Sequence, residues 1–302
     1  MSTPLQWKVG LVGYGEVGRV LGEDLVKRGV AVGAFDTRFG TLAAAPLEEH
    51  ARQHGVRLAS SHADLARDAD LLVCAVTAAQ DIDAAKACAA GIKSGCWFLD
   101  FNSASPGAKQ RAAAMIDSAG GRYVEAAVMT AIHPKRLAVP LILGGTQAGE
   151  LQPLLNTLGF NASQVFDRLG VASATKMCRS VMMKGLEAML IECLTTARAY
   201  GVEDDVLASL KASYPGLDWE RQGNYAFERV IQHGRRRSEE MFEVAETVRE
   251  VGLEPLSSSG TARRQAWMAD LTDAGLFGDR DAARKDWRVE ADRLLAAIAK
   301  KT

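Results

Sequence analysis

The chain has 302 residues, 48% hydrophobic and 24% charged, with 36 basic against 37 acidic side chains and a net charge of −1. That length allows two domains with real cores, and the balance leaves no bulk field to hold nucleic acid or an anionic membrane. No apolar run approaches the length of a membrane span, so neither partner is expected.

The five cysteines (74, 88, 96, 178, 193) form no CxxC pair, which argues against a zinc site or a disulfide frame. They are expected to be reduced, small and buried, with no metal bound. The opening residues Met1–Trp7 lack the basic and apolar regions of a secretory signal, and a cytoplasmic location is expected.

The chain opens with an apolar run, Lys8–Val12, followed by Gly13-Tyr14-Gly15-Glu16-Val17-Gly18 and a helical pattern to Arg28. A second run, Val30–Phe35, ends in Asp36-Thr37-Arg38. Strand, glycine loop, helix, strand and acid together form the context that makes GxGxxG a dinucleotide signal. Gly13 would allow a sharp turn, Gly15 would leave room for a pyrophosphate, and Gly18 would let the helix approach the sheet. The helix N-terminus supplies N–H groups and a favourable dipole for phosphate. Asp36 could accept both ribose hydroxyls, which favours NAD, while Arg38 could neutralise a 2′-phosphate, so NADP is not excluded.

Strand patterns continue at Val56–Ala59 and Asp70–Val76, the latter apolar at every residue after Asp70, as a strand buried on both faces requires. Val76 and Thr77 fall at its carboxyl end, where open α/β sheets bind ligands. A helix is predicted over Asp81–Ala90 and a strand at Trp97–Leu99. Ser103 follows that strand, and Pro106 opens the next helix. Tyr123–Val128 and Pro140–Leu143 read as strands joined by the loop Met129–Val139. This is a doubly wound α/β domain over 1–168.

Beyond Gly170 the pattern becomes helical, giving an all-α domain over 169–302. Val171–Tyr200 reads as one helix of about 30 residues, roughly 45 Å long. Breaks are predicted at Tyr214-Pro215-Gly216, His233-Gly234, Gly252–Pro255 and Asp273–Asp279. Lys176, Arg179, Ser180, Met183 and Glu187 share one face of the long helix, which by itself suits a solvated stripe. The run His233-Gly234-Arg235-Arg236-Arg237 reads either as a solvated charge run or as a carboxylate clamp. Trp219, Tyr225 and Phe227 suit core packing better than a pocket lining.

Gly170-Val171-Ala172-Ser173-Ala174-Thr175-Lys176-Met177-Cys178-Arg179-Ser180 resembles the signature of the β-hydroxyacid dehydrogenase superfamily, Gly-x-Gly-x-x-x-Lys-x-x-x-Asn. That superfamily includes 3-hydroxyisobutyrate and 6-phosphogluconate dehydrogenases. Gly13–Gly18, Val76-Thr77, Asp100–Pro106, Glu125–Ala131 and Leu143–Gly145 resemble its other conserved segments in order. The resemblance implies Lys176 as catalytic acid/base, Ser103 beside the cofactor, and Met129, Thr130, Arg179 and Ser180 toward the substrate; His133, in the loop after Val128, reads equally as a substrate contact or as a surface histidine. It implies a hydroxy acid or related alcohol as substrate and a homodimer or larger homo-oligomer. A lysine in an interdomain cleft near Arg179 would have its pKa lowered toward the working pH.

Several positions depart from the pattern. The family's Ser-Gly-Gly is Met129-Thr130-Ala131, its second signature glycine is Ala172, its asparagine is Ser180, and a later family lysine falls at Glu239-Glu240. These changes bear on the substrate and not on the lysine, while His133-Pro134, Lys176-Met177-x-Arg179-Ser180 and His233-Gly234-Arg235-Arg236 resemble a less characterised subgroup with its own helical C-terminal domain. An oxidoisomerase or decarboxylating dehydrogenase would share every motif; imine reductases generally lack the lysine, and a non-catalytic dinucleotide sensor would keep only the glycine loop.

Overall fold

The structure is a computed structural model that describes residues 3–278 and 286–299. The described chain forms two compact units, one ending at Met177 and the other beginning at Cys178.

The first unit alternates strands and helices: β1 (Lys8–Val12), α1 (Glu16–Lys27), β2 (Ala31–Phe35), α2 (Ala45–Gln53), β3 (Arg57–Leu58), α3 (His62–Asp68) and β4 (Leu71–Cys74). It continues through α4 (Asp81–Ala89), β5 (Trp97–Asp100), α5 (Pro106–Ser118), β6 (Arg122–Val128), β7 (Pro140–Gly144), α6 (Ala148–Leu158) and β8 (Asn161–Phe166). The strands form one sheet in the order β3-β2-β1-β4-β5-β6-β7-β8. All pairings are parallel except β6 with β7. The order reverses between β1 and β4, which opens a crevice at their carboxyl ends.

Both faces of the sheet are covered. Leu71, Val73, Trp97 and Leu99 pack into one core with Leu21, Leu25, Leu151 and Leu155 of α1 and α6. The alternate residues Leu72, Cys74 and Phe98 pack into the other with Ala84, Cys88, Ala112 and Ile116 of α4 and α5. Every position of β4 and β5 is buried, and all but Asp100 at the end of β5 are apolar, as burial on two faces demands. Sequence patterning expected a parallel sheet and did not single out β8. The antiparallel β7 arises because only a loop, not a crossover helix, separates it from β6.

The long helix α7 spans Val171–Tyr200, the bounds expected from its spacing, and runs across the division between the units. The second unit continues with α8 (Glu203–Ser213), α9 (Trp219–Glu250), α10 (Leu256–Asp273) and α11 (Trp287–Ala299). Its core joins Ile191 and Leu194 of α7 to Trp219, Phe227, Val230, Met268, Trp287 and Leu294.

The break expected at His233-Gly234 is absent: α9 is continuous there. A Cβ on Gly234 would sit 2.9 Å from Gln265 O, so the glycine allows close approach of α10 and does not end the helix. The break expected at Asp273–Asp279 is seen from the end of α10 to Gly278; Asp279 lies outside the described residues. Three cysteines are buried as expected, but Cys178 and Cys193 are exposed. Their helical spacing places them on the outer side of α7, where apolar periodicity alone misassigned them.

Candidate active site

The glycine loop joins β1 to α1 at the crevice. Gly13 has φ +88°, and a Cβ there would sit 2.5 Å from Ala75 O beyond β4. A Cβ on Gly18 would sit 2.2 Å from Gly13 O, so α1 rests directly on the loop backbone. Gly15, the residue before α1, is different: the nearest atom to its Cβ position is the Arg38 guanidinium tip at 3.7 Å. The space above it is open, as a pyrophosphate seat requires. Glu16 and Val17 begin α1, with Glu16 exposed and Val17 half-buried.

Asp36 follows β2 and is buried. Its Oδ2 accepts from Tyr14 N (2.8 Å) and Arg38 Nη2 (2.8 Å); its Oδ1 accepts from Arg38 N (3.0 Å) and Arg38 Nε (2.8 Å). Burial alone would raise its pKa, but these hydrogen bonds, those of Arg38 foremost, bring it down to about 2. The carboxylate therefore already holds four donors, about its full capacity. A ribose hydroxyl would have to displace part of the Arg38 fork, whose side chain is 48% exposed.

The loops after β4 and β5 are tied together by Asn102. Its Oδ1 accepts from Val76 N (2.7 Å), its Nδ2 donates to Asp81 Oδ1 (2.7 Å), and its own N–H donates to Asp100 Oδ1 (2.8 Å). Lys109 Nζ lies 2.7 Å from Asp100 Oδ1 and 3.9 Å from Asp81 Oδ2, and Tyr123 Oη donates to Asp100 Oδ2 at 2.5 Å. All three charged side chains are fully buried. Burial first, and then the charge of Asp100, push Asp81 up to about 7. With one ammonium for two carboxylates, the trio is neutral when Asp81 keeps its proton.

Lys176 stands on the second turn of α7, and its Nζ donates to Ser103 Oγ at 2.6 Å. The start of that helix is anchored by Glu125, a fully buried carboxylate inside β6. Its Oε1 accepts from Gly170 N (2.6 Å) and Ala172 N (3.1 Å), and its Oε2 from Ser173 N (3.2 Å). These satisfy N–H groups that a helix cannot pair internally, and they place a negative charge at the positive end of its dipole. Gly144, the register partner of Glu125 on β7, leaves the room: a Cβ there would lie 2.3 Å from Oε1.

The remaining sequence candidates are distributed more widely. Thr77 is exposed beyond β4, with its hydroxyl donating to Gln80 Oε1 at 3.2 Å. Met129 is half-buried against the small apolar cluster of Ala127, Ile142 and Ala172. Thr130 and His133 are exposed in the loop between β6 and β7. Arg179 and Ser180 belong to the second unit, Arg179 exposed and Ser180 buried, and Glu187 is buried on the same helix face that suggested a solvated stripe.

The arginine run is engaged within its own unit. Arg235 donates to Asp270 (2.6 Å) and Asp273 (2.8 Å), Arg236 to Glu240 (2.6 Å), and Arg237 to buried Glu187. Trp219 and Phe227 are core residues, and Tyr225 is half-exposed. Sequence reasoning did not single out Asn102, Asp81, Lys109, Tyr123 or the anchoring role of Glu125. The available signal was the presence of acids inside apolar strand runs, Asp100 in WFLD and Glu125 in RYVEAAV.

Residues 8–167 match the family described as the NAD binding domain of 6-phosphogluconate dehydrogenase, and residues 197–268 match a domain family of unknown function, DUF1932. A conserved hypothetical protein from Sinorhizobium meliloti 1021 shares the fold with a TM-score of 0.78 and 33% identity, covering 97% of this chain and 96% of that one. A second conserved protein of unknown function, described as structurally similar to 3-hydroxyacid dehydrogenases, has a TM-score of 0.69 and 32% identity over 89% of this chain and 99% of its own. The 2-(hydroxymethyl)glutarate dehydrogenase of Eubacterium barkeri is 22% identical over 75% of each chain. Among the described residues, no helix is long and apolar enough to cross a membrane.

Proposed function

The chain belongs to the family of the NAD binding domain of 6-phosphogluconate dehydrogenase, and from that premise we propose that it is an NAD(P)-dependent oxidoreductase acting on a hydroxy acid or related alcohol, with Lys176 as general acid/base. The observation that carries this reading is the 2.6 Å hydrogen bond from Lys176 Nζ to Ser103 Oγ, at the carboxyl edge of the same sheet that holds the glycine loop. The likeness to a dehydrogenase of a hydroxymethyl diacid supports the substrate class.

The open space over Gly15 and the N-terminus of α1 fit a pyrophosphate, and Asp36 with Arg38 fits an adenine ribose or its 2′-phosphate. Bound nicotinamide would supply the hydride acceptor or donor. Lys176 takes the hydroxyl proton of the substrate in the oxidative direction and returns it in the reductive one. Ser103 orients the amine and is itself positioned by Asn102, whose three hydrogen bonds fix the loop. By the same family likeness, Arg179 and Ser180, one turn beyond Lys176 on α7, are the proposed substrate contacts, and the protein is a homo-oligomer, which light scattering on the eluted protein would reveal.

Lys176→Ala tests the assignment. The variant keeps its affinity for NAD and NADP in a fluorescence titration, while turnover on the best hydroxy acid in a panel falls by at least about 100-fold, the lower end for general acid–base catalysis. Rates near wild type would refute the lysine's role.

A further inference from the structure

Outside the crevice, α1 and the end of α2 bring two imidazoles and a carboxylate to one point. His50 lies in the last turn of α2, and His54 caps it four residues on, so both rings leave the same face. Their centroids are 4.4 Å apart. Glu23 of α1 faces them: its Oε1 is 3.0 Å from His50 Nε2 and 3.9 Å from His54 Nε2. One ligand atom from each of the three lies within 4.8 Å of the others.

We propose that Glu23, His50 and His54 form a binding site for a first-row divalent transition ion of the zinc type. Zinc bonds to imidazole nitrogen and carboxylate oxygen at about 2.0–2.2 Å, so tetrahedral ligand atoms stand roughly 3.3 Å apart, between the two spacings seen here. Two nitrogens among three ligands select zinc, cobalt or nickel over magnesium or calcium, which take oxygen. Water completes the shell, since the three side chains are only partly buried.

The surroundings are built as an outer shell would be. Tyr14 Oη lies 3.1 Å from His50 Nδ1, the nitrogen that would not bind the ion. Arg136 Nη2 holds Glu23 Oε2 at 2.7 Å, which leaves Oε1 directed at the imidazoles.

Tyr14 Oη at 3.1 Å on Nδ1 and Glu23 Oε1 at 3.0 Å on Nε2 fix the His50 ring from both sides. An ion held by Nε2 would require the ring N–H on Nδ1, where Tyr14 Oη would accept it. Tyr14 thus borders both places, its backbone lying in the glycine loop and its hydroxyl beside His50.

The untagged full chain, titrated with Co²⁺ alone and checked by equilibrium dialysis with Zn²⁺, tests the site. One equivalent should bind with visible bands of a low-coordinate nitrogen–oxygen site and without a thiolate charge-transfer band. His54→Gln, on the more exposed ligand, should weaken binding by about tenfold or more, and Tyr14→Phe by roughly 10–100-fold through the outer shell. The same affinity in wild type, His50→Gln and His54→Gln would overturn the proposal. So would thiolate bands from Cys178 or Cys193, or no stoichiometric binding at 100-fold excess metal.

Discussion

Glu125→Gln removes a charge and little volume, which makes it a clean probe of how α7 is anchored. The native carboxylate accepts from Gly170, Ala172 and Ser173 N–H groups, all in a fully buried setting. An amide keeps one acceptor oxygen and turns an NH₂ group toward N–H donors, so at least one buried N–H loses its partner. A hydrogen bond to a charged group contributes about 1.5–3 kcal/mol, and a charge at a partly buried helix terminus up to about 2 kcal/mol. The expected loss is therefore on the order of 3–5 kcal/mol for the first unit.

Urea denaturation followed by tryptophan fluorescence would measure that loss. Because Lys176 lies six residues beyond Gly170, turnover should fall as well, since a misplacement of about 1 Å can cost roughly 10²-fold. NAD affinity should hold, because the glycine loop is carried by other elements. Gly144→Ala should reproduce both effects, its Cβ lying 2.3 Å from Glu125 Oε1. A Glu125→Gln protein within about 0.5 kcal/mol of wild type, the range of an ordinary surface change, would refute the anchoring role.

Gly15→Ala and Gly18→Ala should separate ligand space from packing. The first meets only the Arg38 tip at 3.7 Å, so the Tm is kept while dinucleotide binding weakens; the second meets Gly13 O at 2.2 Å, so thermal melts should show lost stability too. Asp81 sets a pH dependence. With its folded pKa raised to about 7, its contribution to stability is full below the ordinary carboxylate range and is lost as pH rises toward 7. Stability should therefore fall from pH 5 to pH 7 by up to about 1 kcal/mol per unit, a slope that Asp81→Asn flattens in urea titrations.

The parts of the fold that local chemistry dictates were legible beforehand. The glycine loop, the stretches after β4 and β5 that carry Val76 and Ser103, and the 30-residue span of α7 each depend on neighbours in sequence. Residues acting across distance were not. Gly234 reads as a helix break until α10 is placed beside it. Glu125 reads as an interruption in an apolar strand until three N–H groups 45–48 positions away converge on it. Lys109 lies in an alanine-rich helix whose spacing suits a surface, and only the sheet brings two carboxylates to it. Cysteine spacing likewise carries no information about His50 and His54, which meet Glu23 only after α1 and α2 have packed.

With the adenine ribose at Asp36, as proposed, the fork between Arg38 and Asp36 would make NAD entry an exchange of partners rather than an addition. A ribose diol that claims Asp36 would leave the guanidinium to find water or another acceptor. A 2′-phosphate would bring an acceptor of its own and could leave the fork closed. Discrimination between the two cofactors would then be a property of the latch, decided by where Arg38 goes when the ribose arrives.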